Sequence, residues 1–301
     1  MMRNNALVIS LLLLIQFFCV RCHSHDNKPK PKPNSTDFDV LVFTQRWPVS
    51  ICSQWLKESV NNSCILPIYD GIWTVHGIWP TKAVTKGPWN CNDTWHFNKS
   101  SIALIEPDLK QFWINIENNT KLTSLWEHEW VKHGTCAALL PQLNSEFKFF
   151  SKGLELIKMY NMKGILSANN IVPNLSSYTI EGIYNSIKKV LNHNPIVQCA
   201  VDKNSKQSLL SEVQLCFDKS FNMVDCDIVY GLYEDVVKVG NILTDCSLKK
   251  AVLYPSEILP IPTFTVIPDI LEPNIKSSFD ILLENRNYWI TIYKTIKFLI
   301  W

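Results

Sequence analysis

The sequence predicts an α+β fold: a largely antiparallel β-sheet flanked by α-helices in one disulfide-stapled domain. Period-two runs of β-branched and aromatic residues stand at both ends of the central region. Helical spacing fills the stretch between them, without the regular strand-helix alternation of a parallel sheet. Eight cysteines follow an N-terminal segment laid out like a signal peptide, which predicts staples formed in an oxidising compartment.

The N-terminal segment comes first. Arg3 precedes an apolar run over residues 6–20, and Cys22-His-Ser24 then supplies small and polar residues. That run is short for a membrane span, so residues 1–24 are assigned as a signal peptide and excluded from the fold. Residues 25–37 contain alternating lysine and proline, which can form neither helix nor ladder and predict an extended, solvated spacer. Residues 39–44 and 72–76 read as strands, the first stopped by Trp47-Pro48 and the second by Gly77 and then Pro80. Apolar residues at helical spacing predict helices over 101–116 and 145–160, and Ser177 followed by Glu181 predicts a third that runs to Leu191. Period two returns at 196–199, 212–216 and 227–233. The folded domain is expected over 38–256, with 257–301 as a C-terminal extension. The last 14 residues are apolar but carry Lys294 and Lys297, too short and too charged for a stable membrane span.

Removing the signal peptide takes Cys19 and Cys22 with it. It leaves Cys52, Cys64, Cys91, Cys136, Cys199, Cys216, Cys226 and Cys246, an even set with no zinc-type CxxC spacing. Sequons at Asn34, Asn61, Asn92, Asn98, Asn118 and Asn174 mark candidate glycosylation sites and agree with a secreted or lysosomal destination. A formal net charge of +2 excludes a polycation that holds nucleic acid by bulk phosphate neutralisation. Any nucleic-acid contact must be local.

The densest polar grouping is Trp126-Glu-His-Glu-Trp-Val-Lys-His-Gly-Thr-Cys136. On a helix Glu129 and His133 share a face, Lys132 flanks both, and His128 lies four residues before Lys132. The histidines are five apart, about 140° around a regular helix, whereas a HExxH zinc site needs i, i+4. No metal or cofactor is expected on that ground. A merely solvated charged face does not account for the flanking Trp126, Trp130 and Cys136, which anchor the segment to a core. A second grouping, Trp73-Thr-Val-His-Gly-Ile-Trp-Pro80, puts His76 at a strand end with Gly77 allowing close approach and Trp79 offering a flat face to a base.

Two imidazoles, a carboxylate and an ammonium meet the needs of RNA transesterification, in which a ribose 2′-OH attacks its own phosphorus. The reaction needs a base, an acid and cationic stabilisation, and no metal. The residues alone let either histidine take either role. A secreted glycoprotein that uses the same scaffold for binding or toxicity is the competing reading.

At these residues the sequence resembles the ribonuclease T2 family, endoribonucleases of secretions and lysosomes. Val75-His-Gly-Ile-Trp-Pro80 and Trp126 to Cys136 match its two signatures, Gln45-Arg-Trp-Pro48 followed by Cys52 its first strand, and Cys91-Asn-Asp-Thr-Trp-His-Phe-Asn98 its animal branch. The resemblance implies His133 as general base and His76 as general acid on single-stranded RNA. Glu129, Lys132 and His128 would handle the phosphate, Trp79 would stack on a base, and Gln45 would contact substrate. It also implies the pairs Cys52–Cys64, Cys91–Cys136, Cys199–Cys246 and Cys216–Cys226; a monomer is expected. Some members carry an aspartate after Trp79-Pro80; Thr81 stands here, so no base preference is implied.

Overall fold

The computed structural model describes residues 37–259, apart from 84–86, 119, 175, 203–205 and 233–235. The signal peptide, all of the spacer but Asp37, Asn34 and the extension beyond residue 259 lie outside the described residues.

The sheet is built on β1 (Val40–Arg46), β2 (Thr74–Thr81), β4 (Ile196–Val201) and β5 (Ser208–Phe217), with short β3 (Ser177–Tyr178), β6 (Met223–Val224), β7 (Val237–Val239), β8 (Ile242–Thr244) and β9 (Val252–Leu253). Its principal order is β2-β1-β5-β4-β8-β7. The pairs β2–β1, β1–β5 and β5–β4 are antiparallel, while β4–β8 and β5–β9 are parallel. The expected largely antiparallel α+β arrangement is what the chain forms.

Strand β2 does not stop at Gly77 but continues to Thr81. Because it pairs only with β1 on the principal path, Pro80 meets the edge-strand condition under which proline is tolerated. Its register skips a residue: Thr44 faces Gly77 and Gln45 faces Val75, which leaves His76 as a bulge. Residues three apart in a regular strand point to opposite faces. The bulge is what allows His76 and Trp79 to line one cleft.

The single helix expected over 101–116 is two pieces, a 3-10 turn (Lys99–Ile105) and helix α2 (Glu106–Phe112). Pro107 sits in the first turn of α2, where its missing N–H costs nothing, but it cannot lie inside a continuous helix. Residues 113–116 leave the helix and bury Trp113, Ile114 and Ile116. Helix α1 (Pro48–Glu58) likewise starts on a proline. Helix α4 (Glu146–Met159) begins as expected at Ser145, whose Oγ accepts from Lys148 N at 3.2 Å. After the short α5 (Met162–Ser167), helix α6 (Ile180–Leu191) is capped by Thr179 rather than Ser177, which joins β3 with Tyr178 instead. Over the described part of 227–233 the expected strand is not formed; a 3-10 turn (Cys226–Val229) stands there instead, and the Asp227 carboxylate accepts from Asn194 and Lys238.

Helix α3 (Ser124–Glu129) passes into a π-helical turn (Trp130–Gly134) and a last helical turn (Thr135–Ala137). Trp126 and Trp130 are fully buried with Trp113, Phe149 and Phe150, so the aromatic residues of the motif anchor it to the core. Gly153 of α4 lies against this cluster: a Cβ there would come within 2.2 Å of the Trp113 ring. We expect Gly153→Ala to destabilise the fold by about 1–3 kcal/mol through overpacking, read as a lower urea midpoint; an unchanged midpoint would mean the ring can give way.

Among the described residues the disulfides are Cys52–Cys64, Cys91–Cys136, Cys199–Cys246 and Cys216–Cys226, the same pairs the resemblance implies. Asn61, Asn92, Asn98 and Asn118 are exposed. Asn174 is half-buried, and its Nδ2 donates to the Tyr178 hydroxyl.

Candidate active site

Two elements converge on one cavity of about 590 Å³: the bulged strand β2, which carries His76 and Trp79, and the helical segment α3 with its π turn, which carries His128, Glu129, Lys132 and His133. Cys91–Cys136 ties the end of the helical segment to the loop after β2, and Asn90 N donates to Lys132 O at 2.9 Å. Gly77 makes the convergence possible. A Cβ there would lie 2.1 Å from Glu129 Oε2 and 2.3 Å from Trp79 Nε1. The empty space lets Trp79 Nε1 donate to Glu129 Oε2 at 2.9 Å.

Trp79 stands between the two histidines. Its ring centroid is 5.0 Å from that of His76 and 5.6 Å from that of His133. Pro80, Thr81, Trp89 and Leu232 continue the cavity beyond it and supply an apolar wall. Six of the expected residues therefore come together: His76, Trp79, His128, Glu129, Lys132 and His133.

Gln45 does not join them. Its side chain is fully buried and Nε2 donates to Tyr160 O at 2.9 Å, so it braces the C-terminus of α4 instead of contacting substrate. Its neighbour Arg46 points the other way, as strand alternation requires. Arg46 Nη2 lies 2.7 Å from His76 Nε2, and His76 Nδ1 lies 2.8 Å from Glu212 Oε1. Arg46 Nε also donates to Glu212 Oε1 at 2.9 Å. Neither Arg46 nor Glu212 was singled out by the sequence. The one available signal was a glutamate inside an otherwise buried strand, and only the register that sets Arg46 opposite Glu212 gives it a meaning.

The site's electrostatics follow from burial. Burial, with Lys132, His128 and His76 nearby, holds the His133 imidazole well below its ordinary range, so it is a neutral acceptor. Burial raises the Glu129 carboxyl to about 8, against the opposing pull of the Trp79 donor and the Arg46 and Lys132 charges. It therefore carries its proton at acidic and neutral pH. Burial and the Arg46 charge lower His76 to about 4, with Glu212 pulling the other way.

The π turn corrects one expectation. Five residues span about 140° on a regular helix, but a π turn closes on i+5 and brings His128 and His133 to the same side. Their ring centroids are 6.4 Å apart, and ligand atoms of His128, Glu129 and His133 lie within 4.8 Å of one another. The spacing that spoke against a metal therefore does not hold in three dimensions. Beside the trio stands the Lys132 ammonium, whose charge acts on His128, Glu129 and His133 alike and would repel a cation placed there.

The sequence profile of the ribonuclease T2 family matches residues 38–226. The protein belongs to the ribonuclease T2 family. This T2 ribonuclease is 36% identical to Ribonuclease Oy of Magallana gigas over 194 residues, which cover 64% of this chain and 88% of that protein. Among solved structures it is similar to RNase NT in complex with 5′-AMP, with a TM-score of 0.58 and 28% identity, covering 73% of this chain and 98% of that one. It is also similar to human RNase T2, with a TM-score of 0.57 and 27% identity, covering 73% and 99%. The fold and the family agree, and the protein is an endoribonuclease. Its packed domain reaches beyond the matched residues: Trp47 Nε1 donates to Pro255 O at 2.8 Å and Trp73 Nε1 to the Tyr254 hydroxyl at 2.7 Å.

Proposed function

We propose that this T2 ribonuclease cleaves single-stranded RNA by metal-independent transesterification, with His133 as general base and His76 as general acid. The observation that carries this reading is the pair of imidazoles flanking Trp79 in one cavity with Lys132 and Glu129. Neutral His133 takes the proton of the ribose 2′-OH as that oxygen attacks phosphorus. Protonated Glu129 and the Lys132 ammonium face the phosphoryl oxygens on which charge accumulates, and His128, exposed at the rim, adds a further donor. His76 gives its proton to the departing 5′-oxygen, which leaves a 2′,3′-cyclic phosphate. Trp79 stacks on a base. Neither step requires a cofactor.

The pH dependence follows with a definite sign. The base is neutral across the working range, whereas the acid must be protonated and is held low, to about 4, in the free protein. kcat/KM, which reports the free enzyme, should therefore fall as pH rises from mildly acidic to mildly alkaline values. Loss of the Glu129 proton near about 8 adds to the decline.

Oligo-RNA cleavage followed by chromatography of the ends tests the reaction. The expected result is 2′,3′-cyclic phosphate products, an acidic optimum and undiminished rates in EDTA. Loss of activity with chelator would give the His128–Glu129–His133 trio to a metal, and absence of cleavage by folded protein would favour a binding role. Four disulfides and four exposed sequons support passage through the secretory pathway, to a secreted or lysosomal destination. We read the catalytic domain as residues 38–256, acting as a monomer.

A further inference from the structure

We propose that Glu212 is the positioning residue of His76, and that Arg46 caps the acid nitrogen of His76 until a substrate phosphate draws the guanidinium away. The proposal rests on the reading of His76 as general acid.

Three strands contribute one residue each. Arg46 comes from β1, Glu212 from β5 directly opposite in register, and His76 from the bulge in β2. Their polar atoms close a triangle with sides of 2.7, 2.8 and 2.9 Å, and the Arg46 and Glu212 side chains are each only 14% exposed. Arginine has donors and no acceptor, so Nε2 of His76 must accept from Nη2. The single ring proton then lies on Nδ1 and is donated to Glu212. The triangle fixes the tautomer.

A ring held in this way is oriented but unloaded. Nε2 is the nitrogen left for proton transfer to a leaving group, because Nδ1 is committed to Glu212. While Arg46 donates to it, Nε2 can neither hold nor give a proton. The groups facing His76 are Arg46 from β1, Glu212 from β5, and His128, Glu129, Lys132 and His133 from the helical segment. Of these, Arg46 is the cation in contact with the ring, and burial and its charge together keep the imidazole neutral. Burial would raise Glu212, but His76 and Arg46 outweigh it and hold the carboxylate ionised, at about 2. It is therefore ready to balance an imidazolium.

A phosphodiester entering the cleft changes the competition for the guanidinium. Phosphate oxygens accept from arginine in two-pronged geometry, a stronger bond than a neutral imidazole nitrogen offers. If Arg46 turns to the phosphate, Nε2 loses its donor and its nearest like charge, takes up a proton from solvent, and Glu212 supports the resulting cation. The proton needed for departure of the 5′-oxygen is thus loaded when substrate is present.

The His76 ring can be followed by imidazole nuclear magnetic resonance in the full refolded protein, with and without inorganic phosphate as the probe. In the unaltered protein we expect saturating phosphate to raise the His76 titration midpoint. Arg46→Gln should raise that midpoint without phosphate, by about one unit or more, and remove most of the response to phosphate. Glu212→Gln should lower the midpoint and lower kcat about tenfold or more with a displaced pH profile, while KM changes little. Glu212→Asp should recover part of the kcat.

An unaltered midpoint and phosphate response in both Arg46→Gln and Arg46→Lys would overturn the cap. A Glu212→Gln enzyme that loses activity with the pH profile unmoved would reduce Glu212 to a structural role. If Glu212→Gln does not fold, Glu212→Asp carries the same readout. The titration does not depend on turnover, so it separates failure of this proposal from failure of His76 as the acid, which an active His76→Ala enzyme would reveal.

Discussion

Alanine at His133 or at His76 should abolish turnover, a loss of about two to four orders of magnitude in kcat for each, while the disulfides still form. His133→Ala removes the neutral acceptor that burial prepares. His76→Ala removes the proposed acid and leaves Arg46 and Glu212 paired to each other through Nε. Neither ring is a large part of the core, so the thermal unfolding midpoint should move little. Single-turnover cleavage of a short RNA, with free-thiol titration of the same samples, checks both halves. Substantial activity in either variant would remove that histidine from its assigned step.

Gly77→Ala should be nearly as damaging, although it deletes no functional group. A methyl at residue 77 cannot coexist with Glu129 Oε2 and Trp79 Nε1 at 2.1 and 2.3 Å, so the Trp79–Glu129 hydrogen bond must break or β2 must move away from the helical segment. Displacing the two elements by about 1 Å costs on the order of 100-fold in rate. The measurement is kcat alongside near-ultraviolet circular dichroism, which reports the packing of the tryptophans, Trp79 among them. Wild-type activity would show that the strand and the helical segment do not need this closeness.

Much of this was legible in the residues. Ser145 announced α4 through its cap, and the alternating runs from residue 39 and residue 196 announced the sheet. The Trp126 to Cys136 motif carried four site residues within one short segment, and its tryptophans gave away the buried side. What escaped was of two kinds. Pairing across the sheet is a long-range property: Arg46 and Glu212 are 166 positions apart, and nothing local distinguishes Arg46 from Gln45 as the one that reaches His76. Departures from regular geometry were the second kind. A strand was expected to end at Gly77, and a straight helix was assumed through His133, because periodicity describes the ideal element and is silent on its exceptions.

Those exceptions share a form. The bulge at His76 and the π turn over Trp130–Gly134 each amount to one residue more than the regular element would hold. Each histidine proposed to move a proton is thus aimed by a surplus of chain length rather than by side-chain chemistry. Shortening either element by a single residue would give a more regular backbone, with its ladder or helix repaired, and would rotate the imidazole out of the cleft. The reading frame of the fold is therefore itself part of what the site requires: a substitution can weaken it, but a one-residue deletion in β2 or the π turn would tidy the architecture and erase the enzyme.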